Sequence, residues 1–331
     1  MDGEGQRAVR RWLVAARMPV ILLGLVVGST ILTEGRFAQL DNLINVLRQV
    51  SLEGLIAFGM TFIIVTGGID LSVGSLVALT GVAAAWAMQA TGAWPPVERI
   101  AVGFATGLAT GAAVGAFSGA AIARFAIPPF IVTLAVMLIA RGAAFILCEG
   151  QPVYDLPPEL MWWGRGFVWD SVLGRLLPTP VLVMLLGFGM FLVLFSRTVF
   201  GRSVIAVGSN EEAAYLAGIA VRWTKLRVYL LTGCLCGLAG VLHDAKLMAG
   251  DPKVGELWEL NIIAAVVVGG TSLFGGRGTI MGTLVGALII GVLNNSLNLL
   301  HVEHFWQKIV LGGVILAASL LDSALRRLEA N

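Results

Sequence analysis

The sequence predicts an all-α fold, a polytopic membrane helix bundle of about 10 transmembrane helices with both termini cytoplasmic. Only 13% of the 331 residues are charged and 57% are apolar, whereas soluble domains carry about 25% charged residues. The apolar residues form runs close to the roughly 20 that a helix needs to cross a bilayer. Because lipid offers no partners to backbone polar groups, runs of this length should be helical. The short alternating pattern of a membrane barrel is absent.

Ten apolar runs define the predicted spans. They lie at about 18–34, 48–66, 72–90, 98–123, 128–147, 179–196, 227–249, 259–270, 279–297 and 306–325. The eighth run is too short to cross a full bilayer and is expected to be broken. The domain organisation is a single transmembrane domain at 18–325 with tails at 1–17 and 326–331, a long outer loop at 148–178 and a long inner loop at 197–226.

The distribution of basic residues orients the bundle. With the N-terminus inside, 13 of the 22 basic residues fall in predicted cytoplasmic segments. The long inner loop and the C-terminal tail are both basic, as expected for cytoplasmic segments. An even number of spans then returns the C-terminus to the cytoplasm.

A stripe of glycines runs along the fourth predicted span at intervals of four residues. Its members are Gly103, Gly107, Gly111, Gly115 and Gly119. One face of this helix therefore lacks side chains, which lets another helix approach closely. This pattern predicts a compact bundle with the fourth helix near its centre.

Several classes of function find no support in the composition. A net charge of only +2 gives no indication of a nucleic-acid-binding surface. The three cysteines are too few and odd in number for a disulfide framework, and Cys234 and Cys236 have no nearby histidine, which favours core packing over a metal site. None of the four lysines lies in a G-K-[ST] phosphate-binding loop, so the chain would not hydrolyse ATP by that route.

The inner loop contains a short helix signal from Ser209 to Gly218. Ser209 and Glu212 fit the spacing of a capping box, and Gly218 is a natural helix stop. A helix of about two turns is unstable alone, so it should dock either on a partner or on its own protein. Its body, small and apolar enough to enter a groove, is Ala213, Ala214, Leu216 and Ala217.

Motifs along residues 40–325 resemble the ribose-type permeases of ABC transporters. They are Phe200-Gly201-Arg202 with 213–219, Gly59-Met60-Thr61 with 66–75, 128–134 with Arg141-Gly142, Glu259-Leu260 with 263–273 and 275–279, Asn294-Asn295, and Trp306-Gln307. The resemblance implies a permease subunit, not an enzyme, in the bacterial inner membrane. Such a subunit would translocate a monosaccharide delivered by a periplasmic sugar-binding protein.

The same resemblance implies partners and a docking segment. The ATPase-coupling helix would comprise Ser209, Asn210, Glu211, Glu212, Ala213, Ala214, Tyr215, Leu216, Ala217 and Gly218. It would dock on a cytoplasmic ATPase, present as two copies or as a fused double subunit, that carries ATP and Mg²⁺; this chain would hold no cofactor or metal. A second permease copy or a paralogue would complete the membrane part. Tyr215 departs from the small or aliphatic residue usual in the family, which could change which ATPase fits.

Six polar residues are candidates for the translocation pathway, because polar groups are costly in lipid. They are Asp70, Ser72, Arg141, Asn294, Asn295 and Asn298. Asp70 could contact the substrate or cap the third helix beside Ser72. Arg141 could line the pathway or form an ion pair with Glu149 or Glu53. The asparagines could hydrogen-bond a sugar or a neighbouring helix.

Other interpretations remain open at this stage. A related ABC permease could carry a nucleoside, a branched-chain amino acid or a signalling furanose. An ion-coupled secondary transporter would need ionisable groups in several spans, whereas only Asp70 and Arg141 are predicted to lie deep. A membrane enzyme is least favoured, because no His/Asp/Glu cluster occupies an interfacial loop.

Overall fold

The computed structural model describes the backbone of residues 3–168 and 176–330, and side chains within 18–168, 176–303 and 305–320. Part of the predicted outer loop, 169–175, therefore lies outside the described residues. The described chain contains thirteen α-helices and no strand. In chain order they are α1 (Gly3–Leu32), α2 (Leu40–Val65), α3 (Val73–Ala90), α4 (Pro96–Phe125), α5 (Pro129–Leu147), α6 (Met161–Arg165), α7 (Thr179–Arg197), α8 (Val199–Ser209), α9 (Glu211–Leu216), α10 (Val221–Leu247), α11 (Trp258–Val268), α12 (Ile280–Leu299) and α13 (His304–Ala330).

Seven of the described helices are long and apolar enough to cross a membrane: α2, α3, α4, α5, α7, α10 and α12. Three more helices match predicted spans, and their described parts contain apolar stretches of 10–17 residues: Met18–Leu32 in α1, all of α11, and Phe305–Leu320 in α13. The predicted polytopic helical bundle is confirmed. The count of ten spans and the placement of both termini stay predictions.

The centre of the bundle is α2, and the prediction that the fourth helix would lie there is wrong. In the most apolar window of α2, 83% of residues are buried, against 28% for α4. Phe62 on α2 packs edge-to-face against Phe191 and Phe195 of α7, with ring centroids 5.6 and 5.1 Å apart. A glycine face on α4 permits close contact on one side only, so its other faces remain exposed.

The glycine stripe itself does what its spacing predicts. It faces Gly233 and Gly237 on α10, where the two backbones touch: a Cβ built on Gly111 would lie 2.1 Å from the Gly233 carbonyl oxygen. A Cβ on Gly237 would lie 2.3 Å from the carbonyl oxygen of Gly107. Because real side chains do not tolerate such distances, only glycine allows α4 and α10 to pack this closely.

Candidate functional site

Two helices, α8 and α9, occupy the predicted inner loop, and Asn210 joins them. The Asn210 backbone is extended, and its Oδ1 accepts a hydrogen bond from the Ala213 N–H at 2.9 Å. Asn210 is therefore the N-cap of α9, and the predicted capping box of Ser209 with Glu212 is wrong. Ser209 is the last residue of α8, and its Oγ donates to the Ile205 carbonyl at 2.8 Å. Asparagine and serine cap equally well, so the residue with extended backbone takes the role.

Gly218 ends the segment as the sequence indicates. Its φ of 80° lies in the left-handed region that glycine adopts without strain. Its N–H donates to the Tyr215 carbonyl, and the Ile219 N–H donates to the Ala214 carbonyl, both at 3.0 Å. These bonds satisfy carbonyls that the end of a helix would otherwise leave unpaired.

The two faces of α9 differ sharply. Ala214 is 4% exposed and packs with Val207 and Val221 of the flanking helices. Tyr215 and Leu216 are 71% and 79% exposed, respectively. Ala214 thus anchors the helix to its own chain instead of joining an outward docking face. The outward surface, called here the α9 surface, consists of Glu212, Ala213, Tyr215, Leu216 and Ala217.

The end of α8 also touches the end of α2 and the glycine-rich break at 269–278, which precedes α12. The Gly276 N–H, in the break before α12, donates to the carbonyl of Val65 at the end of α2 at 2.9 Å. A Cβ on Gly208 would lie 1.6 Å from that Val65 oxygen and 2.7 Å from the Gly276 nitrogen. We call the contact between Val65, Gly208 and Gly276 the inner junction. It connects the α8–α9 segment directly to α2 and α12.

Asp70 and Ser72 form a compact turn between α2 and α3. Both are buried, and Asp70 Oδ1 accepts hydrogen bonds from the Ser72 N–H at 2.8 Å and from Ser72 Oγ at 2.6 Å. Thr133 Oγ1 of α5 donates to the Ile69 carbonyl in the same turn at 3.2 Å. These contacts agree with the alternative in which Asp70 stabilises the start of the third helix beside Ser72 and does not contact the substrate.

Arg141 binds backbone carbonyls, and the suggested partners Glu149 and Glu53 are wrong. Its Nη1 donates to the carbonyls of Pro252 and Val254 at 2.5 and 2.7 Å. The guanidinium therefore ties the C-terminal half of α5 to the loop before α11. Carbonyl oxygens near a chain turn compete well for a planar guanidinium, and a search for acidic partners in the sequence misses them.

Two of the three candidate asparagines link helices. Asn295 exchanges two hydrogen bonds of 2.9 Å with Asn42 of α2. Asn298 Oδ1 accepts from Gln307 Nε2 of α13 at 2.8 Å. Asn294 instead lines a narrow cleft between α2, α11 and α12, together with Gln49 and Glu53.

A larger cavity of about 560 Å³ opens between α2, α6, α10 and α11. We call it the outer cavity. It is lined by Asn45, Arg48, Gln49, Leu52, Glu53, Gly164, Arg165, His243, Lys246, Leu247 and Trp258. Glu53 enters the sequence predictions only as a partner of Arg141, and Trp258 belongs to no predicted site. A carboxylate inside a predicted span was the signal that could have identified Glu53.

The chain is similar in sequence to known transport permeases. Residues 42–319 match the family model described as "Branched-chain amino acid transport system / permease component". The ribose import permease protein RbsC of Bacillus subtilis is 48% identical over 86% of this chain and 86% of its own length. RbsC of Escherichia coli K12 is 42% identical over 95% of both chains. The L-arabinose ABC transporter permease protein AraH of Azospirillum brasilense is 40% identical, covering 94% of this chain and 88% of its own. No solved structure is detectably similar.

The chain belongs to the family of ABC transporter permeases that includes these ribose and arabinose permeases. It is a multi-pass protein of the bacterial inner membrane, consistent with the seven membrane-length helices found among the described residues. Permeases of this kind are transport subunits and not enzymes, so ATP hydrolysis takes place on a separate chain. The absence of a phosphate-binding loop from the sequence agrees with that division of labour.

Proposed function

We propose that this permease is the membrane-spanning subunit of an ATP-driven importer for a monosaccharide of the ribose type. The names of the relatives support the substrate class, because they specify ribose or L-arabinose. The family model's own description mentions branched-chain amino acids. Relatives at 40–48% identity over most of the chain carry more weight for the substrate.

The observation that carries the coupling proposal is the α9 surface. Tyr215 and Leu216 form an exposed apolar pair on a six-residue helix that Ala214 fixes to the permease. A helix this short does not hold its shape alone, so its anchoring leaves the outward side ready for a partner. We assign residues 209–218 as the segment that docks into a groove of the ATPase subunit.

The remaining parts follow from the importer class. Two ATPase copies or one fused double subunit would hold ATP and Mg²⁺, and this chain would bind neither. Two permease chains, identical or paralogous, would enclose the pathway. A periplasmic binding protein would deliver the sugar to the outer side.

The inner junction suggests how movement would pass into the membrane. When the ATPase subunits close, they would displace α9, and α8 would move with it. Gly208 contacts both Val65 and Gly276, so that displacement would reach α2 and α12 together. Thr61 Oγ1 and Thr283 Oγ1 hydrogen-bond at 2.6 Å between these helices, which would keep them moving as a pair. The sugar would cross unchanged, with no covalent step.

Reconstitution tests the proposal. The permease would be purified in mild detergent with its co-purifying ATPase, incorporated into proteoliposomes and supplied with binding protein. Uptake of radiolabelled ribose, arabinose and leucine would be compared with ATP, with a non-hydrolysable analogue and with a protonophore. We expect ATP-dependent uptake of a pentose and none of leucine. Uptake that survives ATP depletion and stops with a protonophore would instead identify an ion-coupled transporter.

A further inference from the structure

The outer cavity brings together polar groups of α2 with groups of α10 and α11, two neighbouring helices that lie far from α2 in the sequence. α2 contributes Gln49 and Glu53, α10 contributes His243 and Lys246, and the first residue of α11 is Trp258. Its volume of about 560 Å³ lies within the roughly 300–1,000 Å³ typical of small-molecule sites.

The cavity extends toward the middle of the bundle. The narrow cleft that contains Asn294 shares Gln49 and Glu53 with the outer cavity. Glu53 lies twelve residues before Val65, about 18 Å along α2 at 1.5 Å per residue. These two side chains therefore stand where the wide outer space meets a narrow cleft directed toward α12.

Two cavity-lining atoms lack hydrogen-bond partners among the described residues, and a third has only a weak one. Arg48 Nε and His243 Nδ1 are buried and make no hydrogen bond there. Glu53 Oε1 has only a long contact of 3.5 Å, from Asn261 Nδ2. Because buried polar atoms are nearly always paired, this side of the cavity is suited to a hydrogen-bonding occupant.

The mixture of groups matches a neutral polyhydroxylated ring. Each sugar hydroxyl both donates and accepts, and the lining offers an acceptor carboxylate, donor cations and an amide that does both. The Trp258 indole supplies an aromatic surface against which the C–H side of a sugar ring can pack, and it is itself edge-to-face with His243 at 5.5 Å.

We propose that the outer cavity is a binding site for the transported monosaccharide within the permease itself. Glu53 and Gln49 hold hydroxyls at its inner end, and Trp258 packs against the ring. The site rests on the proposed sugar import and adds to it that the permease contacts the sugar after the binding protein releases it.

The first test measures uptake by the complete transporter in proteoliposomes, compared at equal amounts of permease with co-purified ATPase. Glu53→Gln and Trp258→Ala should each lower pentose uptake at least tenfold, and Trp258→Phe should restore part of it. Matched controls make the same chemical changes at exposed positions outside the cavity, Glu98→Gln and Trp94→Ala, and should leave uptake within twofold. Wild-type uptake in both cavity variants would overturn the site.

A second measurement needs no uptake by the altered chain. In a background lacking the three native cysteines, Asn45→Cys, which lines the cavity without a proposed sugar contact, would be labelled by a small membrane-impermeant thiol reagent, with and without ribose, in both nucleotide-free and ATP-bound complexes. Ribose should slow labelling at least fivefold in one of the two states, and mannitol should not. Equal rates in both states would overturn the site. A wild-type complex that imports no monosaccharide would refute the proposed function itself, whereas normal import without protection refutes only this site.

Discussion

Replacing Leu216 by alanine measures how much the α9 surface contributes to ATPase binding. Leu216 is 79% exposed in the permease alone, so its truncation should leave the fold intact. Docking would bury the three carbons that the substitution removes, at about 0.8 kcal/mol per buried CH₂ group. Multiplied by the exposed fraction of Leu216, the loss of binding free energy is about 2 kcal/mol. This loss corresponds to a roughly 30-fold weaker complex with the ATPase.

The assay is a titration of purified ATPase subunit against the permease in nanodiscs, followed by ATP-dependent uptake in proteoliposomes. Leu138→Ala is the matched control, because Leu138 is 66% exposed on α5, outside the α8–α9 segment. We expect Leu216→Ala to weaken ATPase binding and to reduce uptake at limiting ATPase, and Leu138→Ala to do neither. An unchanged dissociation constant for Leu216→Ala would refute the docking assignment.

Three further predictions concern the glycine contacts and the buried turn. Gly208→Ala places a methyl group against the Val65 carbonyl, so uptake should fall at least tenfold while ATPase co-purification persists; normal uptake would remove the inner junction from the coupling route. Gly111→Leu should push α4 away from α10 and lower the melting temperature in detergent, because overpacking costs about 1–3 kcal/mol; an unchanged melting curve would contradict the contact. Asp70→Asn keeps the Oδ1 acceptor and should retain uptake, whereas Asp70→Ala leaves the buried Ser72 N–H unpaired and should destabilise the protein by about 1–3 kcal/mol. A well-folded Asp70→Asn permease without uptake would instead place the charge in the pathway.

The helical bundle could be predicted from the sequence because a long apolar run in lipid must satisfy its own backbone hydrogen bonds, which it does as an α-helix. The ends of the helices could not be placed as well. The second predicted span begins at residue 48, but α2 begins at Leu40. The first turns of α2 contain Asp41, Asn42 and Asn45. Hydropathy marks the part of a helix that lies in hydrocarbon, and it does not detect a polar continuation beyond it.

The glycine stripe predicted a close helix contact but not the position of α4 in the bundle. Spacing within one helix specifies a face, and the partner that fills this face is a non-local property. The central position of α2 follows from burial on all sides along 50–52 and 54–65. In a membrane protein, lipid-facing and core-facing residues are both apolar, so this burial leaves no distinct pattern in the sequence.

The candidate pathway residues show a similar limit. Selecting polar residues within predicted spans identified Asp70 and Arg141, whose described hydrogen bonds are local or to backbone carbonyls. The outer cavity depends on Glu53 and Trp258, which are 205 residues apart and meet only after α2 and α11 pack. Neither residue belongs to a local motif that would mark the cavity. The docking role of residues 209–218 stays a prediction.

The most direct test of the account compares two neighbouring cysteine substitutions in the assembled importer. Leu216→Cys should crosslink to the ATPase subunit through a short bifunctional reagent, because its side chain points outward from α9. Ala214→Cys should crosslink poorly, because position 214 is 4% exposed and faces Val207 and Val221. Efficient capture of the ATPase from position 216 and not from 214 is the predicted result. No capture from position 216, in a complex that still imports sugar with ATP, would contradict the claim that this surface couples the permease to its ATPase.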